Sequence, residues 1–133
     1  MILVDTSVLI SALRQHETRP VQRLRELEAE GLPYSVPILC AMEVLQGARD
    51  EKDWRLLDQM LEGFDLVPPG DPWESHRLAA RISFDCRRKG LTVRSSVDCL
   101  VAQVALDHEA ALLHDDDDFE RIAEVRPLRL LRG

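Results

Sequence analysis

The sequence predicts an α/β sandwich built on a mainly parallel sheet. Two observations predict it. Short apolar, β-prone runs alternate along the whole chain with longer segments of helical periodicity, the pattern of successive β-α-β units. The helical segments are also punctuated: most open at Ser, Thr, Asp or Pro and close at Gly. The scale agrees, since 133 residues fall within the roughly 100–200 typical of one domain. No internal repeat, low-complexity linker or compositional break divides the chain, so residues 1–133 are expected to form a single domain.

Taken in order, Met1–Val4 is a β-prone run. Ser7 to Arg14 reads as a helix with Val8, Leu9, Ala12 and Leu13 inward. Thr18 and Pro20 open a second helix, in which Val21, Leu24 and Leu27 recur at helical spacing until Gly31 stops it. Tyr34–Val36 is a short strand. Pro37 starts a helix through Gln46, closed by Gly47. Trp54, Leu57 and Leu61 mark another, closed by Gly63. Phe64–Val67 is a further strand. Asp71-Pro72 is a helix start, with Glu74 completing a capping box, and that helix runs to Lys89 before Gly90. Ser95 or Ser96 caps the next helix, with Val97, Leu100, Val101 and Val104 inward. Ala110–Leu113 is a strand, Asp117 or Asp118 caps a short helix through Ala123, and Leu128–Leu131 is the last strand.

Composition narrows the function. Hydrophobic residues are 45% and charged residues 31%, a globular balance far from a disordered one. No apolar run approaches the length of a bilayer span, and no basic leader precedes the first apolar residues, so a cytoplasmic protein is expected. Cys40, Cys86 and Cys99 are odd in number and far apart, which excludes a disulfide framework and a Cys-x-x-Cys knuckle; each reads as a reduced helix residue. The net charge of −7 argues against a general nucleic-acid coat. The bases are nonetheless 15 Arg to 2 Lys, and Arg suits bidentate phosphate contacts. Arg87, Arg88, Lys89 and Arg94 cluster, as a phosphate-binding patch or as a solvated helix end favoured by the helix dipole. The acids concentrate at Asp115–Asp118.

Ligands of parallel α/β sheets bind outside the carboxyl ends of the strands, which directs attention to the acids there. Asp5 ends the first strand, and Asp116 follows the strand that ends at Leu113. Glu43 lies within the Pro37–Gln46 helix, and Asp98 in the first turn of the Ser96–His108 helix. Each has a plain structural alternative: Asp5 as a cap beside Thr6 and Ser7, Asp98 as the acid of a Ser-x-x-Asp cap. Glu43 has the weakest one, because its neighbours Ile38, Leu39, Met42 and Leu45 are apolar and no base lies nearby in sequence. Four converging carboxylates repel one another and require a counter-charge. Oxygen-only ligands favour Mg²⁺ or Mn²⁺ and phosphate-ester chemistry. His16, His76, His108 and His114 are isolated and read as surface or strand-end residues.

Four segments together resemble the PIN-domain family. They are Met1-Ile2-Leu3-Val4-Asp5-Thr6-Ser7, Pro37–Gly47 around Glu43, Thr92–Ala102 around Asp98, and Leu112–Ile122 around the acidic run. The nearest subgroup by resemblance is the VapC toxins of type II toxin–antitoxin modules. The resemblance implies a PIN-like three-layer α/β/α sandwich and a Mg²⁺-dependent endoribonuclease, with Mn²⁺ as a possible substitute. It also implies a homodimer with a VapB-type antitoxin and an RNA substrate, a tRNA or ribosomal RNA loop. Asp5, Glu43, Asp98 and Asp116 correspond to the acidic quartet, with Asp5, Asp98 and Asp116 as metal ligands. Thr6 or Ser7 supplies the family's hydroxyl, and Asp118 is an auxiliary acid. Arg87, Arg88 and Arg94 would hold flanking phosphates. Where the family usually has Thr or Ser and then Asn or Arg before the fourth acid, this chain has His114-Asp115, and the run of four Asp leaves the register of that ligand open.

Competing readings are a phosphatase or phosphotransferase with an N-terminal aspartyl nucleophile, or a receiver-like binding module. Asp5-Thr6-Ser7 lacks the second Asp of the former, and Lys52 and Lys89 lie in helical segments rather than at a strand end, against the latter.

Overall fold

The computed structural model describes residues 1–133. The elements follow in the order β1 (Ile2–Val4), α1 (Thr6–Leu13), α2 (Arg19–Ala29), β2 (Ser35–Pro37), α3 (Ile38–Gln46), α4 (Glu51–Leu61) and β3 (Asp65–Val67). After them come α5 (Pro72–Arg88), α6 (Ser96–Asp107), β4 (Ala111–Leu113), α7 (Asp117–Ile122) and β5 (Arg129–Leu131). The five strands form one sheet in the order β3-β2-β1-β4-β5. Every neighbouring pair is parallel, with Leu3 opposite both Ser35 and Leu112, Val36 opposite Leu66, and Leu112 opposite Leu130.

That order positions the site. The chain leaves β1 toward β2 and β3, then returns past β1 to lay down β4 on its other side. Parallel crossovers are right-handed, so reversing direction moves the connecting helices to the opposite face. Accordingly α1 packs on α2 and α3, and α3 on α4, while α5, α6 and α7 pack on one another. The result is the three-layer α/β/α sandwich. Where the direction reverses, between β1 and β4, the carboxyl ends open a crevice.

The central strands β1, β2 and β4 are covered on both faces. Leu3, Val4, Val36, Leu112 and Leu113 are fully buried, joined by Val8 and Val21 from one layer and Ile82, Val101, Phe119 and Ile122 from the other. Such near-continuous apolar runs are what central parallel strands require. The Asp107 carboxylate accepts from Gly70 N (3.0 Å), Ser75 Oγ (2.5 Å) and Gln103 Nε2 (2.9 Å), tying the end of α6 to the start of α5.

Several expectations change in detail. Pro37 is the last residue of β2 and the N-cap of α3 rather than its first helical residue. Leu13, read as inward, is exposed, as is Trp54 on α4; Leu13 projects into a groove between α1, α2 and α4, and α4 buries only Leu61. The capping box at α5 is half made. Asp71 accepts from Glu74 N at 2.7 Å, but the Glu74 carboxylate turns away to Arg77. Ser95 rather than Ser96 caps α6, accepting from Val97 N at 3.1 Å. No helix is long and apolar enough to cross a membrane.

Candidate functional site

Asp5 is the first residue beyond β1, and its backbone N–H still donates to Leu113 O (3.0 Å), so the β1–β4 pairing carries it to the mouth of the crevice. Its side chain caps α1: Oδ2 accepts from Ser7 N (3.0 Å) and Ser7 Oγ (2.6 Å), while the Cys40 thiol lies 3.7 Å from Oδ1. Asp5 therefore fills both roles open to it, as helix cap and as an acid at the strand end. Ser7 Oγ also accepts from Asp115 N (3.0 Å), bridging the ends of β1 and β4. Thr6 Oγ1 donates to Glu43 Oε1 (2.7 Å), which provides the partner that a half-buried acid on α3 needs.

The run of four aspartates divides by direction. Asp116, not Asp117 or Asp118, is the N-cap of α7, and its Oδ1 accepts from Asp118 N at 2.9 Å. With Asp116 extended and α7 beginning behind it, carboxylates two apart share a side. Asp116 and Asp118 meet Asp98, all three offering oxygens within 4.8 Å of one another. Asp115 and Asp117 face outward to Arg132, at 3.5 and 2.8 Å. Asp118 is buried and already engaged, accepting from Arg121 (2.9 Å) and Arg94 N (3.3 Å). Asp98 is not needed for capping, which Ser95 performs.

Burial pushes the Asp98 carboxyl up to about 8, reinforced by the negative charges of Asp116, Asp5 and Asp118. Burial also raises Asp5, against the opposing hydrogen bonds from Ser7 and Cys40. The sign of the linkage follows. Between about pH 4 and about pH 8 the folded protein retains a proton on Asp98 that the unfolded chain has lost, so in EDTA its stability falls as pH rises through that window. A divalent cation held by these acids would reverse this by favouring their ionised forms. Mn²⁺ should raise the melting temperature more near pH 8 than near pH 5. Equal increments at the two pH values would place the cation elsewhere.

Of the residues singled out in the sequence, Asp98, Asp116 and Asp118 come together as one group, with Asp5 close enough to act on Asp98. Thr6 holds Glu43, and Ser7 holds Asp5. The arginine cluster is split. Arg94 lies at the acids, its guanidinium 3.8 Å from Asp116 and 3.7 Å from Asp118 and 73% exposed. Arg87 and Arg88 are exposed in the last turn of α5, where they complement the helix dipole.

Three participants escaped sequence reasoning. Cys40 is buried against Asp5. Arg132 holds the outward aspartates. His114, read as a surface or strand-end residue, is fully buried at the end of β4, and burial keeps its imidazole below the ordinary value. The one available signal was that His114 directly continues the apolar run Ala110–Leu113.

Residues 2–125 match the family model described as PIN domain. The chain is 37% identical over 132 residues to VapC ribonuclease Mb1587 of Mycobacterium bovis, covering 97% of this chain and 96% of that protein. It is 32% identical to ribonuclease VapC51 of Mycobacterium tuberculosis, over 92% of this chain and 85% of that one. Among solved structures, VapBC2 from Rickettsia felis bound to a promoter DNA fragment aligns with a TM-score of 0.76 at 20% identity, covering 98% of both chains. FitAcB from Neisseria gonorrhoeae aligns with a TM-score of 0.76 at 21% identity, covering 99% of this chain and 97% of that one.

Proposed function

Because the chain belongs to the PIN-domain family, among the VapC ribonucleases, we propose that it is a divalent-metal-dependent endoribonuclease, the toxin of a module in which a VapB-type antitoxin silences it. The observation that carries the reading is the group Asp98, Asp116 and Asp118, with oxygens within 4.8 Å of one another, beside Asp5 at the crevice between β1 and β4. The donor set fits a hard cation: it is all oxygen, and Asp98, its carboxyl pushed up to about 8, stays mostly protonated near neutrality until a neighbouring positive charge favours its ionised form. Mg²⁺ is the proposed ion and Mn²⁺ its substitute.

Asp98 and Asp116 would hold the cation with Asp5. Asp118, whose oxygens face Arg121 and Arg94, shapes the group. Bound there, the cation supplies charge stabilisation for the phosphodiester and acidifies water. Glu43 has one oxygen fixed by Thr6 and the other without a protein partner; we assign it to orienting the attacking water and receiving its proton. Arg94 is exposed enough to leave its acids for a flanking phosphate. His114 is buried with Nδ1 engaged, so it is not placed to activate a 2′-hydroxyl. In-line attack by water then leaves a 5′-phosphate and a 3′-hydroxyl. A tRNA or ribosomal RNA loop is the proposed substrate.

We read residues 1–133 as one cytoplasmic PIN domain that works as a homodimer. Ile38 and Met42, one turn apart on α3, are exposed apolar residues available for pairing. For the antitoxin, Leu9, Leu13 and Leu24 line a mostly apolar groove of about 160 Å³ between α1, α2 and α4. An arginine from the antitoxin would compete with the cation for the acids.

The test is to map new 5′ ends in total RNA incubated with the purified protein in Mg²⁺ and in EDTA, with a phosphate monoester in parallel. Light scattering of the same preparation at twice 15.2 kDa checks the pairing. Site-specific RNA cuts that require Mg²⁺, leave the monoester intact and disappear on adding the antitoxin are expected. Monoester hydrolysis without RNA cleavage would overturn the reading.

A further inference from the structure

We propose that His114 is a positioning residue for the metal-binding acids: its imidazole Nδ1 accepts the backbone N–H of Asp116 and thereby fixes the direction in which the Asp116 carboxylate meets Asp98. The inference rests on the assignment of Asp98 and Asp116 as cation ligands made above.

The geometry fixes the chemistry. The bond from Asp116 N to Nδ1 is 3.1 Å, and an amide N–H can only donate. Nδ1 therefore presents its lone pair, and the proton of the neutral ring sits on Nε2. That second nitrogen is poorly served. It is buried without an aligned hydrogen bond, its nearest carboxylate being Glu120 Oε1 at 3.3 Å. The ring packs edge-on against Phe119, with centroids 5.2 Å apart. An apolar side chain of similar size would fill this fully buried space and remove the unpaired Nε2, but would leave the Asp116 N–H without its acceptor. What the imidazole alone contributes is the acceptor for Asp116.

The surroundings show why that acceptor matters. The amides of Asp115 and Asp116 are taken by two side-chain acceptors, Ser7 Oγ and His114 Nδ1. Ser7 is the residue that holds Asp5. The Asp116 carboxylate is then braced from the other side, Oδ1 accepting from Asp118 N. With both amides pinned, Asp116 and Asp118 are turned to Asp98, and Asp115 and Asp117 to Arg132. Without an acceptor at residue 114 the peptide entering Asp116 loses its anchor, and the carboxylate is held from the α7 side alone. Groups that orient a ligand from behind in this way typically change metal affinity by about 10–100-fold.

The experiment titrates Mn²⁺ into the full chain and follows free Mn²⁺ by electron paramagnetic resonance, comparing wild type with Asp98→Asn, His114→Phe and His114→Asn. Asn presents Oδ1 where His presents Nδ1; Phe fills the space without an acceptor. Wild type should bind, Asp98→Asn should abolish binding, His114→Phe should weaken it about 10–100-fold, and His114→Asn should recover most of the loss. Affinity unchanged by Phe, or lost equally with Asn, overturns the proposal while leaving the metal site standing. Binding that is absent in the wild type or indifferent to Asp98→Asn overturns the metal site and the proposal with it. Should the Phe variant fail to fold, amide exchange in the wild type decides. The Asp116 N–H should exchange more slowly than that of Asp117, which begins α7 with no protein acceptor; equal rates would remove the hydrogen bond and the inference.

Discussion

Asp98→Asn is expected to reduce RNA cleavage by about 10³-fold or more, the equivalent of several kcal/mol of transition-state stabilisation, with the fold intact. The side chain is not a cap, and burial, reinforced by the repulsion of three neighbouring carboxylates, pushes its carboxyl up to about 8. Neutralising it removes that repulsion, so the melting temperature in EDTA near pH 8 should hold or rise while activity disappears. That opposite movement separates a ligand from a structural acid. Asp5→Asn and Asp116→Asn should be comparably inactive. Asp115→Asn and Asp117→Asn should be mild, because both face Arg132 at the surface and exposed ion pairs contribute little. Single-turnover rates and melts on the five variants read this directly. Wild-type rates from folded Asp98→Asn would sink the assignment, and a sensitive Asp115 would shift the acidic run by one residue.

The second large effect is on stability. Phe119 is fully buried, the largest side chain so enclosed, and it packs on His114 behind the acidic loop. Phe119→Ala should cost about 3–5 kcal/mol from lost burial and the cavity left behind, a large share of the roughly 5–15 kcal/mol that holds a domain of this size. Urea unfolding measures it. Cleavage by the folded fraction should fall too, since the ring supports the segment that aims Asp116 and Asp118. A cost below about 1 kcal/mol would mean that the site collapses around the gap, and that the loop does not depend on this anchor.

The sequence by itself determined the elements, their order and the acids at the strand ends, because those rest on local physics. Helical spacing in Val21, Leu24 and Leu27, the Thr18 cap, the Asp71-Pro72 start and the apolar run ending in Asp5 are each set within a few residues. It also carried the four-segment pattern that points to the family. What only the tertiary structure decided is how those acids meet. Asp98 and Asp116 come together because β4 returns to the far side of β1, a strand order that no local periodicity encodes. The acidic run shows the same division. Four identical side chains look equivalent in sequence, and which pair faces the site depends on where α7 starts and on which acceptors take the Asp115 and Asp116 amides. Those acceptors, Ser7 and His114, sit at the ends of two different strands. Ser7 reaches the Asp115 amide only through a sheet pairing between segments more than a hundred residues apart, and a hydrogen bond across that separation leaves no trace in the local chemistry of either segment; the His114 bond is local, but the burial that holds its ring in place is set by the packed layers around β4.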